Sequence, residues 1–400
     1  MVAQRIKPRT RKGFLNNFYP FVPVPNPNNR LPRFQFLRGC AGADKISDGK
    51  INYYTILICY VVMVPVMRFP RVKAQGQGFY HCISGFVDGL SVFGASDARC
   101  WEAEELISLM RRREAFSGIQ VLDYVLMNNH FHLVCKVPER KLLTQSEMLG
   151  RIEAGDGLEH VRLLRKQLAR CAEQPDGIEQ SERLLASYRR RMYDLSIFNK
   201  ELKGGYAQSY NRRHRRYGVL WADRFKSVLL EGGRAVRAIA AYIELNPVRA
   251  GLCEDPKEYR YCGYAEAMVR GSEIALEGIR TLLSLPQTAS REEIERAYRQ
   301  LLNLKGAEAR EDNPPAVESA KAQEVVEREK CEPLLEERLR CKIRSFSDGV
   351  ILGSRSFVEF HWQRLKQRIG QKCKSGPIAL NILGPAGLWV LRKLRTRAFG

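Results

Sequence analysis

A chain of 400 residues with 66 Lys and Arg against 44 Asp and Glu carries a formal charge of +22, an excess that points to a polyanion partner, nucleic acid above all. Its 44% apolar content is enough for ordinary globular cores in two or three domains. The 11 cysteines are scattered and form no Cys-x-x-Cys pair. That argues for reduced thiols and against a disulfide framework or a structural zinc site, and a thiol nucleophile is not favoured.

Residues 1–66 read as an N-terminal extension outside the folded core. Arg5 to Lys12 is basic, and Tyr19 to Pro32 is rich in Pro and Asn. Tyr53 to Met67 is an apolar run of about fifteen residues, short of the roughly twenty that span a bilayer, so no membrane segment is favoured. Its place in the chain also argues against a signal peptide. A start at Met67 would leave the whole stretch outside the protein proper.

From Gly78 the pattern changes. Phe79 to Val87 predicts a strand, Asp97 to Phe116 an amphipathic helix, and Gln120 to Met127 and Phe131 to Val137 two more strands. This β-α-β-β order opens a ferredoxin-like sandwich. Residues 141–203 predict a helical insertion, with helices over Leu149 to Cys171 and Ser181 to Phe198 joined by the turn Gln174-Pro175-Asp176-Gly177.

Between Tyr206 and Tyr217 aromatic and basic residues alternate: Tyr210, Arg212, Arg213, Arg215 and Arg216. Basic groups hold phosphates and aromatic rings stack on unpaired bases, so this stretch is a candidate DNA contact. An ordinary basic loop, or a solvated helix face, has the same composition. Gly218 to Leu230 predicts a fourth strand centred on Arg224, Phe225, Lys226 and Ser227. Arg234 to Asn246 then predicts a helix stopped by Pro247, with Tyr242 and Asn246 four apart on one face. Taken alone, Asn246 suits a helix C-cap and Tyr242 a core position.

In the third strand, His130-Phe131-His132 sets two imidazoles on one side, since side chains at i and i+2 of a strand share a face. Two such rings suit one divalent cation if a third ligand arrives from elsewhere. A hydrogen-bonded surface pair has the same spacing.

Three ordered segments, Met127-Asn128-Asn129-His130-Phe131-His132-Leu133-Val134, Gly218-x-Leu220-Trp221-x-x-Arg224-Phe225-Lys226-Ser227 and Tyr242-Ile243-Glu244-Leu245-Asn246-Pro247-Val248-Arg249-Ala250-Gly251, together resemble the single-tyrosine HUH transposases, in particular the REP-associated tyrosine transposase branch. The similarity runs from about Met67 to Ala267. It implies an α+β fold, a small ferredoxin-like antiparallel sheet with helices on one face, with the helical insertion added. It implies that His130 and His132 bind a divalent metal, Mg²⁺ or Mn²⁺, with Asn246 as the third ligand where many relatives carry Gln. Tyr242 is implied as the nucleophile. The implied substrate is single-stranded DNA, often near a hairpin, cut and rejoined through a 5′-phosphotyrosine without ATP; no Walker-type loop is present. Homodimers occur in the family, and a cytoplasmic protein associated with the nucleoid through DNA is the expectation.

Residues 268–400 read as a helical C-terminal extension. Ser290-Arg291-Glu292-Glu293 is a capping-box start for a helix through Leu304. Lys305 to Pro315 is a polar linker, Ala316 to Leu339 a charged helical stretch, Arg344 to Ser354 a glycine-bearing turn, and Ser356 to Ile369 another helix. An accessory DNA-binding module and a segment that packs on the catalytic domain suit this pattern equally. For the chain as a whole, the reading set against a tyrosine strand transferase is a catalytically silent DNA hairpin binder on the same fold; a metal-dependent nuclease using water is a third.

Overall fold

The computed structural model describes residues 71–93, 97–302, 346–347, 349–369, 376–380 and 387–392, all within the unit Arg68–Gly400. Residues 1–66, the linker Lys305 to Pro315, the stretch Ala316 to Leu339 and the basic Lys393, Arg395 and Arg397 lie outside the described residues.

Among the described residues the fold is α+β, built on a seven-stranded mixed sheet. Strand β1 (Gly78–Gly85) leads to helix α1 (Asp97–Ser117), then β2 (Gln120–Met127) and β3 (His130–Val137). Helices α2 (Gln145–Asp156), α3 (Leu158–Ala172), α4 (Gly177–Arg189) and α5 (Leu195–Arg213) follow, and β4 (Lys226–Leu230) returns to the sheet. Then come α6 (Arg234–Glu244), α7 (Asn246–Arg249), α8 (Gly263–Met268), α9 (Glu273–Leu283) and α10 (Arg291–Leu301). The described remainder is β5 (Gly349–Gly353), α11 (Arg355–Ile369), β6 (Ile378–Leu380) and β7 (Leu388–Arg392). Strand order is β2-β3-β1-β4-β5-β7-β6, antiparallel throughout except for the parallel pair β4 and β5.

Strand alternation sorts the core into two layers. On β1, Tyr80 and Cys82 enter one layer with Leu106 and Met110 of α1 and Phe198 of α5. His81 lies on the other side, level with Val134 of β3 and Val228 of β4, and those valines pack against Ile239 and Ile243 of α6. Helices therefore cover both faces, which corrects the one-face expectation. The cause is visible in β2, where Val121 to Met127 are all buried: a strand covered on both sides reads as a near-continuous apolar run. A register shift between Val121 and Asp123 lets Leu122 and Asp123 fall on the α6 side in succession.

The C-terminal extension also departs from expectation. Gly349 to Gly353, expected as a turn, is a strand whose Leu352 enters the α6 layer while Ile351 enters the other. With β6 and β7 it widens the sheet, so this part is integral to the fold and not wholly helical. A three-residue apolar run between glycines is too short to show a period. The fourth strand is shorter than expected, since residues 218–225 form a loop that meets the end of β1 at the bridge between Phe86 and Trp221. The helix expected over Ser181 to Phe198 breaks after Arg189: Tyr193 has φ 57° and the Asp194 side chain caps α5. The capping box at Ser290 is present as expected.

Candidate functional site

The turn Asn128-Asn129 places His130 at the first position of β3, opposite Gly85 at the last position of β1. Backbone bonds pin this end of the sheet: Phe86 N donates to Asn129 O at 2.9 Å, and Val92 N and Phe93 N donate to Asn128 O. His130 and His132 share the α6 face, with ring centroids 5.0 Å apart. His132 is buried and His130 half-buried.

Hydrogen bonding assigns a tautomer to each ring. His130 Nδ1 lies 2.7 Å from Asn129 Oδ1, an acceptor, so Nδ1 carries the proton. Behind His132 stands His81, wholly buried, whose Nδ1 lies 2.9 Å from the Phe346 carbonyl and whose Nε2 lies 2.8 Å from His132 Nδ1. Burial pushes His81 down to about 4, against the pull of that carbonyl, so it is neutral near pH 7. Both imidazoles of β3 then keep their lone pairs on Nε2, the arrangement a cation needs.

Tyr242 comes from α6, an alanine-rich helix with Ala235, Val236 and every residue from Ala238 to Glu244 buried. Its ring stands edge-on to His132 with centroids 6.3 Å apart, and Phe346 packs on it at 5.2 Å. Its phenol oxygen lies 3.5 Å from Ser347 Oγ. The side chain is 3% exposed. The Arg249 guanidinium sits 4.5 Å from the Tyr242 ring centroid and donates to the Tyr242 carbonyl.

Asn246 departs from expectation. The helix ends at Glu244 and restarts at Asn246 with Pro247 in its first turn, so Tyr242 and Asn246 are not on one continuous helix. Asn246 Oδ1, the atom a metal would take, accepts from Arg249, while its buried Nδ2 has no hydrogen-bond partner among the described residues. Among the described residues no group of three or more His, Cys, Asp or Glu side chains could hold a metal ion. The structure thus gathers His130, His132 and Tyr242, and leaves the Asn246 oxygen turned to a guanidinium. The chemistry of the two imidazoles fits a divalent cation; the third donor is not in position.

The loop that follows the basic segment reaches the same end of the sheet. Ala222 N donates to Gly85 O and Val87 N to Leu220 O. Trp221 lies against Phe86, with ring centroids 4.5 Å apart, and donates to Lys203 O at 2.8 Å. Lys203, lowered to about 8 by burial, donates to Asp223 O. Arg71 braces the far side through Phe225 O and Ser227 Oγ. Lys226 begins β4 opposite Ile83, which pairs with His132, so its side chain shares the face of the histidines and is exposed. Arg212, Arg215 and Arg224 are exposed too. Arg213 is engaged within the fold, where it pairs with Glu102 at 3.2 Å and covers Trp101. Arg216 holds Val219 O and Asn211, and Tyr210 lies against His214 with centroids 4.1 Å apart.

Sequence reasoning missed His81, Arg249 and Phe346. Arg249 lies within the segment Tyr242 to Gly251, at the end of the short helix α7, and its closeness in sequence to Tyr242 is a signal that could have found it. Phe346 is 104 residues beyond Tyr242 and carries no local signal.

A deeper cluster lies under α6. Asp123 accepts from Tyr298 Oη at 2.6 Å and from Tyr124 N. Burial raises Asp123 to about 6, and burial together with the charge of Asp123 holds Glu244 well above the usual carboxylate range. Glu244 Oε1 accepts from Tyr264 N. As a carboxylate its Oε2 has no partner, whereas a shared proton would join it to Asp123.

No helix among the described residues is long and apolar enough to cross a membrane. No family model matches the chain, and no curated protein matches it. Among solved structures it is similar to the structure of a REP-associated tyrosine transposase bound to a REP hairpin, at 13% identity and a TM-score of 0.33, over 52% of this chain and 90% of that one. A likeness at that level carries no functional argument.

Proposed function

We propose that this chain is a single-stranded DNA strand transferase of the single-tyrosine HUH type, in which Tyr242 is the nucleophile. The observation that carries the reading is the approach of His132 to Tyr242, 6.3 Å between ring centroids, with both histidines held in the tautomer that leaves Nε2 as donor atom. The antiparallel order β2-β3-β1-β4 suits a ferredoxin-like plan for a catalytic region of residues 67–267, with β5, β7 and β6 continuing its sheet.

In this reading the Tyr242 phenol oxygen attacks the scissile phosphorus and gives up its proton. The bond to the upstream 3′ oxygen breaks, and that oxygen takes a proton to become a 3′-hydroxyl. The 5′-phosphotyrosine keeps the phosphodiester, so a second 3′-hydroxyl can attack it, release the phenol and reseal the strand. A divalent cation, Mg²⁺ or Mn²⁺, would be held by His130 and His132, with Asn246 as third ligand once its oxygen leaves Arg249; it would polarise the phosphate. Arg212, Arg215, Arg224 and Lys226 would carry the strand to the histidine end of the sheet, with Tyr210, Arg213 and Arg216 shaping the same surface.

A second reading, a silent DNA hairpin binder, is favoured by the 3% exposure of Tyr242 and by the engagement of Asn246 with Arg249. Incubation with labelled single-stranded hairpin oligonucleotides, with and without Mn²⁺, separates the two. The transferase gives a Mn²⁺-dependent adduct that survives denaturation and vanishes in Tyr242→Phe. An adduct that persists in Tyr242→Phe removes the nucleophile, cleavage without adduct indicates a nuclease, and tight binding with neither supports the binder.

A further inference from the structure

The α6 face carries three histidines, and only two belong to the strand motif. His81 lies one strand away on β1, wholly buried, between the Phe346 carbonyl and His132. We propose that His81 is a positioning residue: anchored by the Phe346 carbonyl, it accepts the Nδ1 proton of His132 and so fixes Nε2 as the ligating nitrogen of that imidazole. This rests on the reading of His132 as a metal ligand.

The polarity of the chain of bonds follows from its end. A backbone carbonyl only accepts, so the nitrogen facing it, His81 Nδ1 at 2.9 Å, bears a proton. A neutral imidazole has one N–H, which leaves His81 Nε2 as an acceptor. The 2.8 Å separation from His132 Nδ1 then requires His132 to donate. The two ring planes differ by 19° with centroids 5.0 Å apart, as two rings meeting edge to edge along that bond would lie. Metal-ligating histidines almost always spend their second nitrogen on an acceptor that fixes tautomer and ring orientation. Here the acceptor is another histidine, and its own anchor comes from the C-terminal part of the chain. His130 is held differently, by the neighbouring Asn129 at the exposed turn. The buried ligand thus has a two-step support reaching into the core, and the outer ligand has a local one.

Sheet register makes the relay feasible. His132 pairs with Ile83, and His81 pairs with Val134, so the two histidines are diagonal neighbours on one face of adjacent antiparallel strands. Nothing in the spacing of the linear sequence links positions 81 and 132.

The test uses the full-length protein, with Mn²⁺ as probe. Long-range ¹H–¹⁵N correlation spectra of histidine-labelled, metal-free protein report the tautomer of His132 directly, assigned by its loss in His132→Ala. The expected result is the Nδ1–H form. The Nε2–H form in the wild type overturns the proposal, whether or not Mn²⁺ binds. In the second arm, His81→Phe fills the space without an acceptor, and His81→Gln can donate its amide to Phe346 O while its oxygen accepts from His132. Mn²⁺ affinity should fall about 10–100-fold in His81→Phe and return toward wild type in His81→Gln. His81→Phe that keeps wild-type affinity, while His132→Ala loses it, also overturns the proposal. If the wild type shows no His132-dependent Mn²⁺ binding, the metal-site reading fails, and the tautomer spectrum still decides whether His81 orients His132.

Discussion

Asp123 and Glu244 show what one buried residue can do to this fold. Burial favours the protonated form of Asp123 in the folded chain, raising it from 3.8 to about 6. A carboxyl raised on folding contributes stability that is fully present below its unfolded value and is lost as pH rises through its folded value. Asp123→Asn keeps an oxygen for Tyr124 N, replaces the acceptor of Tyr298 Oη with an amide nitrogen, and removes the titrating carboxyl. The free energy of urea unfolding of the wild type should therefore fall relative to that of Asp123→Asn between about pH 4 and about pH 7, by on the order of 2 kcal/mol. A gap between the two proteins that stays constant with pH would contradict the shared-proton account. The tautomers of His130 and His132 belong to the same scale: each is set by a single acceptor, and only the Asn129 one lies next to its histidine in sequence.

Among the elements, α9 makes a close approach to the sheet. A Cβ at Gly278 would stand 2.7 Å from Leu122 O and 3.0 Å from Val121 O, both rigid backbone atoms at the irregular part of β2. Gly278→Ala should destabilise the protein by about 1–3 kcal/mol through overpacking, despite the higher helix propensity of alanine. Thermal unfolding checks it; an unchanged or raised midpoint would mean that α9 slides away freely. The same scale shows what the sequence disclosed. Boundaries of β1, α1, β2 and β3 are readable within two residues because apolar runs stop at Gly85, Gly118 and Asn128-Asn129. The loop 218–225 misleads because Leu220 and Phe225 are as buried as strand residues. They pack from a loop that Lys203 and Arg71 hold in place, through bonds with separations of 20 and 154 residues. Strand β5 is hidden by its brevity. His130, His132 and Tyr242 are legible as a set only through their motifs; the spacing of each alone also suits surface or core positions. The turning of the Asn246 oxygen to Arg249 is not legible, because the helix pattern through Asn246 hides the break at Leu245.

At the scale of the molecule, charge and sheet extension act together. In the proposed function, the formal charge of +22 would supply long-range attraction to DNA, and Arg212, Arg215 and Lys226 are exposed to meet it. If each neutralises a phosphate, replacing all three with Gln should lower the slope of log affinity against log salt for single-stranded DNA by about 2. A slope equal to that of the wild type would move the contact surface elsewhere. The described C-terminal strands continue the sheet beyond β4 and bring Phe346 against both His81 and Tyr242. The site therefore draws on two distant stretches of chain. The central claim is that Tyr242 becomes covalently linked to DNA. Protease digestion of the Mn²⁺-treated complex, nuclease trimming and mass spectrometry of the remaining peptide test it most directly. The account predicts a 5′-phosphodeoxynucleotide on Tyr242, and on no other tyrosine. A nucleotide mass on a different residue, or cleaved DNA with every tyrosine unmodified, would contradict it.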